Sequence, residues 1–93
     1  MIRYFFNLAD GGYDPDLEGT EFPDVASARR EAVRFASEVL HDRPEVVWSG
    51  RDFRVEVTDH QGTLIFTFVM LVVDSPFVRD QLAVDERPAL SAG

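Results

Sequence analysis

Six carboxylates crowd one short segment, DGGYDPDLEGTEFPD, and the first four are Asp10, Asp14, Asp16 and Glu18. Closely spaced carboxylates are the donor set of calcium and magnesium sites, and magnesium so held supports hydrolysis. Asp14, Asp16, Glu18 and Gly19 follow the opening of an EF-hand loop, with Glu18 standing as the third ligand. The twelfth position of such a loop is a bidentate glutamate; here it is Val25, and no apolar helix leads in. Aspartate, glycine and proline are turn formers, which accounts for the same composition without a metal. No metal ligand is assigned. The acids from Asp10 to Glu21 are still where a small metal-dependent hydrolase would be built, since Asp10 follows a first strand.

Other chemistry has less to work with. His41 and His60 each stand beside an aspartate, yet neither has helical or strand spacing to a second strong ligand. His41 suits a helix C-terminus and His60 a hairpin tip. The serines at 27, 37, 49, 75 and 91 lie in no G-x-S-x-G elbow. There is no cysteine and no lysine, so thiol catalysis, disulfides and a phosphate-binding G-x-x-x-x-G-K-[ST] loop are all excluded. No catalytic residue and no cofactor is expected.

The elements that would position any site come from a chain of 93 residues, enough for one domain. Its hydrophobic share of 45% is a globular value. Nine basic residues against 17 acidic ones leave a net charge of −8. That balance argues against nucleic acid and anionic membranes, and suits a basic protein partner. The absence of cysteine fits a reducing cytoplasm. The N-terminus MIRYFFNLADGG does not read as a signal peptide, and no segment reads as a membrane span.

Residues 2–8, IRYFFNL, alternate as a strand, with Ile2, Tyr4, Phe6 and Leu8 on one face. Residues 17–22, LEGTEF, read as a short strand pairing back on it. Asp24 is a helix N-cap after Pro23, and Val25, Ala28, Ala32, Phe35, Ala36 and Val39 form one apolar stripe. Arg30 and Arg34 are expected to pair with glutamates on the opposite face. The helix should stop near His41, ahead of Pro44.

Residues 51–58, RDFRVEVT, alternate again, and Asp59 to Gly62 read as a hairpin loop. Pairing Thr58 with Thr63 sets Val57 opposite Leu64, Val55 opposite Phe66 and Phe53 opposite Phe68, all on one face.

The last strand, TLIFTFVMLVV over residues 63–73, carries no charge. Leu64, Phe66, Phe68, Met70 and Val72 would join the core beneath the helix. The other face holds Ile65, Val69, Leu71 and Val73, with Phe5 from the first strand. One helix cannot cover both faces of a sheet, so this second face needs a cover. Two are available: the C-terminal tail, where Ser75-Pro76 reads as a helix start, or a second copy of the chain. The second copy is preferred, because a nine-residue helix is marginal without firm docking.

The segments MIRYFFNLADGG, DLEGTEFPDVASARREA and VEVTDHQGTLIFTF, in that order and spacing, resemble a family of short uncharacterised bacterial proteins. Its members look like M-x-R-Y-F-F, a D-G turn, an acidic E-G segment, a P-D-helix, then V-x-V-x-D-x-x-G and an apolar strand. The resemblance covers residues 1–68 and implies no activity and no catalytic residue. Gly12-Tyr13, Phe22-Pro23-Asp24 and the Ala28/Ala32 spacing also resemble HicB-type antitoxins. That likeness implies an RNase H-like architecture without nuclease activity and a small basic toxin as partner; residues 74–93 are too few for the DNA-binding appendage of that family.

The sequence therefore predicts an α+β fold: a small antiparallel or mixed sheet in β-β-α-β-β order with one long helix on one face. Residues 1–74 form the domain, 75–84 a short helix and 85–93 a disordered tail. The expected function is a non-enzymatic interaction or regulatory module that is homo-oligomeric. A hydrolase built on the acidic turn is the first alternative. RNA binding through Phe5 with Arg3, Arg51 and Arg54 is the second.

Overall fold

The computed structural model describes residues 1–48, 53–78 and 81. The fold is α+β, a five-stranded antiparallel sheet with one main helix. Strand β1 spans Ile2–Ala9, β2 Tyr13–Asp14 and β3 Thr20–Phe22; helix α1 spans Val25–Asp42; strands β4 and β5 span Phe53–Asp59 and Leu64–Met70. A 3-10 turn, Pro44–Trp48, follows the helix.

β1 is the organising strand. Along one edge it pairs with β4, from Tyr4 opposite Asp59 to Ala9 opposite Arg54. Along the other it carries two short strands in succession: β3 against Ile2, Arg3 and Tyr4, and β2 against Leu8 and Ala9. The strand expected over residues 17–22 is thus β3, shortened to its last three residues, and β2 is an addition. Gly19 explains the shortening. Its φ of 72° lies in the left-handed region, which a ladder residue does not adopt.

The alternating pattern of β1 and β4 sends Tyr4, Phe6, Leu8, Phe53, Val55 and Val57 to one face, where all six are buried. Against that face lies α1, which buries Ala28, Ala32 and Ala36. Three alanines at helical spacing bring the helix backbone close to the sheet. Larger side chains at the margins, Val25, Phe35 and Val39, complete the packing. Phe22 closes the near end, with its ring edge-on to Phe6 at 6.1 Å between centroids and tilted on Tyr4 at 6.5 Å.

The helix signals act where the sequence put them. Asp24 has extended backbone, and its Oδ1 accepts from the Ser27 N–H at 2.8 Å. At the far end the Arg43 N–H donates to Val39 O at 2.8 Å before Pro44 diverts the chain. Arg34 donates to both Glu31 and Glu38. Arg30 does not meet a glutamate: none stands three or four residues from it, and it donates to Ser27 Oγ at 3.2 Å.

The β4–β5 hairpin differs from its expected register. Thr58 faces Leu64, Val57 faces Phe66, Val55 faces Phe68 and Phe53 faces Met70, with a β-bulge at Val57/Thr58. Ile65 is the extra residue. The bulge leaves Phe66, Phe68 and Met70 on the core face, as expected. It moves Leu64 off that face to lie opposite Thr58, where it is 56% exposed. The loop itself explains the shift. Asp59 Oδ1 accepts from the N–H groups of Gln61 and Thr63, and the Asp59 N–H donates to Thr63 O. This closes the loop on Asp59 and draws Thr63 out of line with Thr58. Gly62 takes a φ of 81° there, as a hairpin glycine does.

After β5 the chain runs without regular structure to Ser75, whose Oγ accepts from the Val78 N–H at 3.3 Å as a helical turn begins at residues 76–78. The remainder of the expected helix and the expected disordered tail lie outside the described residues.

Candidate interaction surface

The acidic turn is built into the sheet. β2 and β3 leave a gap along the edge of β1, and Asp16 fills it. Its Oδ2 accepts from the Phe6 N–H at 3.1 Å, while its Oδ1 accepts from the N–H groups of Glu18 and Gly19 at 3.1 and 3.0 Å. Partial burial pushes this carboxyl up, but the backbone N–H bonds from Gly19, Phe6 and Glu18 outweigh it and hold the group below its ordinary value. Asn7, 5% exposed, answers from β1. Its Oδ1 accepts from the Asp16 N–H at 2.9 Å and its Nδ2 donates to Glu56 O at 2.9 Å. A single asparagine and a single aspartate thereby link β1, β4 and the loop between β2 and β3.

The other acids point elsewhere. Asp10 pairs with Arg43 at 3.0 Å. Glu18 is exposed, and its backbone oxygen, not its carboxylate, accepts from Arg3. Glu21 lies 3.4 Å from Arg3 across the β1–β3 ladder, and Asp14 is exposed on β2. Among the described residues no three histidines or acids gather as metal ligands. His41 and His60 are exposed, one at the end of α1 and one at the hairpin tip.

Two of the three arginines named for RNA binding are engaged on the outer face. Arg3 is held by Glu21 and the Glu18 backbone, and Arg54 Nε donates to Glu56 at 2.9 Å. Arg51 lies outside the described residues. Phe5 sits beneath the turn at Gly19: a Cβ placed on Gly19 would lie 2.9 Å from the Phe5 ring, from Arg3 Cγ and from Tyr4 O. Phe5 is half-buried there.

The outer face is consequently polar at its centre, with Asn7, Arg54, Glu56 and Thr58, and apolar at one margin. That margin is β5 and the residues after it. Leu64, Ile65, Val69, Leu71 and Val73 are 56%, 36%, 57%, 78% and 75% exposed. Phe77, at 70%, leaves its ring in solvent too. The core side of β5 is incompletely covered as well. α1 makes its principal sheet contacts with β4 and β3, so Phe66, Phe68 and Met70 are half-buried. β5 bonds to β4 through one edge only, and its other edge meets no strand among the described residues. No described helix is long and apolar enough to cross a membrane.

Of the five residues expected to form an interface, four lie on or just beyond this margin, and Phe5 lies two strands away under the acidic turn. Leu64 belongs to the margin and was assigned by pattern to the core. The seven-residue length of the open edge was likewise outside what alternation can specify.

No curated protein and no solved structure matches the chain. One family model does, over residues 3–71, which takes in the sheet, the helix and the first residue past β5. The chain belongs to the family described as Domain of unknown function (DUF6894).

Proposed function

We propose that the protein is a non-enzymatic interaction module that works as a homo-oligomer, with β5 and the segment after it as the contact surface. One observation carries the reading. The edge strand of the sheet is uncharged, seven residues long and exposed at Ile65 and Val69, and Leu71 and Val73 extend the same apolar margin. Edge strands in monomers are kept short, bulged or charged, because a long apolar edge templates association. This one has a bulge at its start and no charge from residue 63 to 73.

The net charge of −8 suits a basic protein as a further partner on the remaining surface. The looser likeness to HicB-type antitoxins, which hold a basic toxin, supports that extension. The exposed outer side of α1 and the turn around Asp14 and Glu18 are where such a partner would meet acidic groups.

Light scattering of the full chain across a dilution series tests the reading. The expected result is a dimer that Ile65→Asp and Leu71→Asp convert to monomer or aggregate. A dimer of unchanged mass and stability in both variants would remove β5 as the contact surface.

A further inference from the structure

We propose that two copies join edge to edge, β5 against β5, antiparallel, with the two-fold axis at Thr67. The inference rests on the homo-oligomeric reading above and adds its geometry.

The outward edge of β5 presents backbone N–H and C=O groups over Leu64–Met70 with no partner strand among the described residues. Those groups are best satisfied by another strand in the sheet plane. An antiparallel pair of identical strands is related by a two-fold axis perpendicular to the sheet, so one residue must face itself. The midpoint of Leu64–Met70 is Thr67. Centring there sets Thr67 opposite Thr67, Phe66 opposite Phe68 and Ile65 opposite Val69, each of the last two twice. Threonine–threonine, aromatic–aromatic and β-branched pairs are favoured cross-strand neighbours, and no like charges meet.

Two further features select a second copy as the occupant. The first is packing. Phe66, Phe68 and Met70 are half-buried because α1 favours the β3–β4 side of the sheet. Edge pairing about a perpendicular axis keeps the core faces on the same side, so the partner's Phe66 and Phe68 arrive on the face where these rings lack cover. The second is charge. Two chains of net charge −8 repel each other over most approaches, and residues 63–73 are a stretch where nothing charged is brought together. A basic partner would find no acid on this edge to bind.

Thr67→Cys tests the arrangement, because the chain has no cysteine of its own. Directly opposed residues of an antiparallel pair have Cα atoms about 4.5–5.5 Å apart, inside the range a disulfide spans. Under mild oxidation at micromolar protein, Thr67→Cys should form a covalent dimer at least about tenfold faster than Ser37→Cys on the exposed helix face, because the paired thiols sit at millimolar effective concentration. Leu71→Cys should also be slow, since its opposite number in this register is Thr63. Mass by light scattering is measured on each reduced variant. A dimer whose Thr67→Cys links no faster than Ser37→Cys overturns the edge pairing and leaves the oligomer standing. Faster linkage at Leu71→Cys than at Thr67→Cys overturns it in favour of packing through the outer faces. A monomer at every concentration overturns both readings.

Discussion

Asn7 and Asp16 hold each other by reciprocal means: the Asp16 N–H donates to Asn7 Oδ1 at 2.9 Å, and the Asp16 carboxylate accepts from the N–H of Phe6, the residue beside Asn7. The pair replaces a stretch of ladder. Where β3 ends and β2 has not begun, β1 still has a donor to satisfy, and a side chain supplies the acceptor that a neighbouring strand would have supplied.

Removing that acceptor should be costly. Asp16→Ala strands the Phe6 N–H and frees the Glu18 and Gly19 N–H groups, so stability should fall by about 1–3 kcal/mol. Urea denaturation checks it. Asn7→Ala, which removes bonds to the Asp16 N–H and to Glu56 O, should fall in the same range. Because the two residues share one network, the double variant should lose less than the sum.

Acid should release the same node. The Asp16 carboxyl titrates below its ordinary value of 3.8 in the folded protein, so in acid the unfolded chain binds the proton first. Its stabilising contribution is therefore complete above pH about 4 and disappears as pH falls through the folded value. Asp24 and Asp59 are lowered as well, by the backbone bonds from Ser27 and Thr63 in first place. Urea midpoints taken downward from pH 5 should slope in the wild type, and Asp16→Asn should flatten part of that slope and not all of it.

Three glycines separate strain from space. At Gly19 a Cβ meets backbone and ring atoms at 2.9 Å and φ is 72°. At Gly62 the space is open but φ is 81°, and at Gly12 the space is open with no positive φ. Gly62→Ala should cost about 1 kcal/mol from conformation alone. Gly19→Ala should exceed it, with displacement of the Phe5 ring visible as a change in its NMR shifts. Gly12→Ala should stay within about 0.5 kcal/mol.

The alanine stripe of α1 sets how closely helix and sheet approach. Ala32 is 1% exposed and faces the sheet between Ala28 and Ala36. Ala32→Leu should overpack this seam and lower stability by about 1–3 kcal/mol, while Val33→Leu on the exposed side should change little. Thermal melts of the two variants make the comparison.

The regular parts of this fold follow from short-range signals. Asp24 before a run with apolar residues three and four apart is enough to start α1 and orient it, and the alternation of Tyr4, Phe6 and Leu8 with Phe53, Val55 and Val57 is enough to define the core face. The irregular parts depend on bonds between residues distant in the chain. Nothing local marks Asp16 as the partner of Phe6, ten residues away, so the sequence shows an acidic turn but not which of its carboxylates is the structural acceptor. Nothing in a period of two reveals where an extra residue enters, so the bulge at Ile65 moved every pair of β4 and β5 along and turned Leu64 outward. The apolar margin was legible because it is written in charge: residues 63–73 have none. Alternation alone does not confine it to one margin: Phe5 falls on the same face by pattern, yet β4, with Arg54 and Glu56, stands between it and β5.

The broken edge of β1 has a bearing on stoichiometry. β2 and β3 present two and three residues each, divided by a turn, and so offer no continuous template for a further strand. Among the described residues, the long strand with a free side is β5. On the edge pairing proposed above, a unit extended on one side has a valence of one: a second unit would complete it and leave nothing to grow from. The plug at Asp16 stands at the break between β2 and β3, so the side chain that satisfies the Phe6 N–H also fills the gap in this edge.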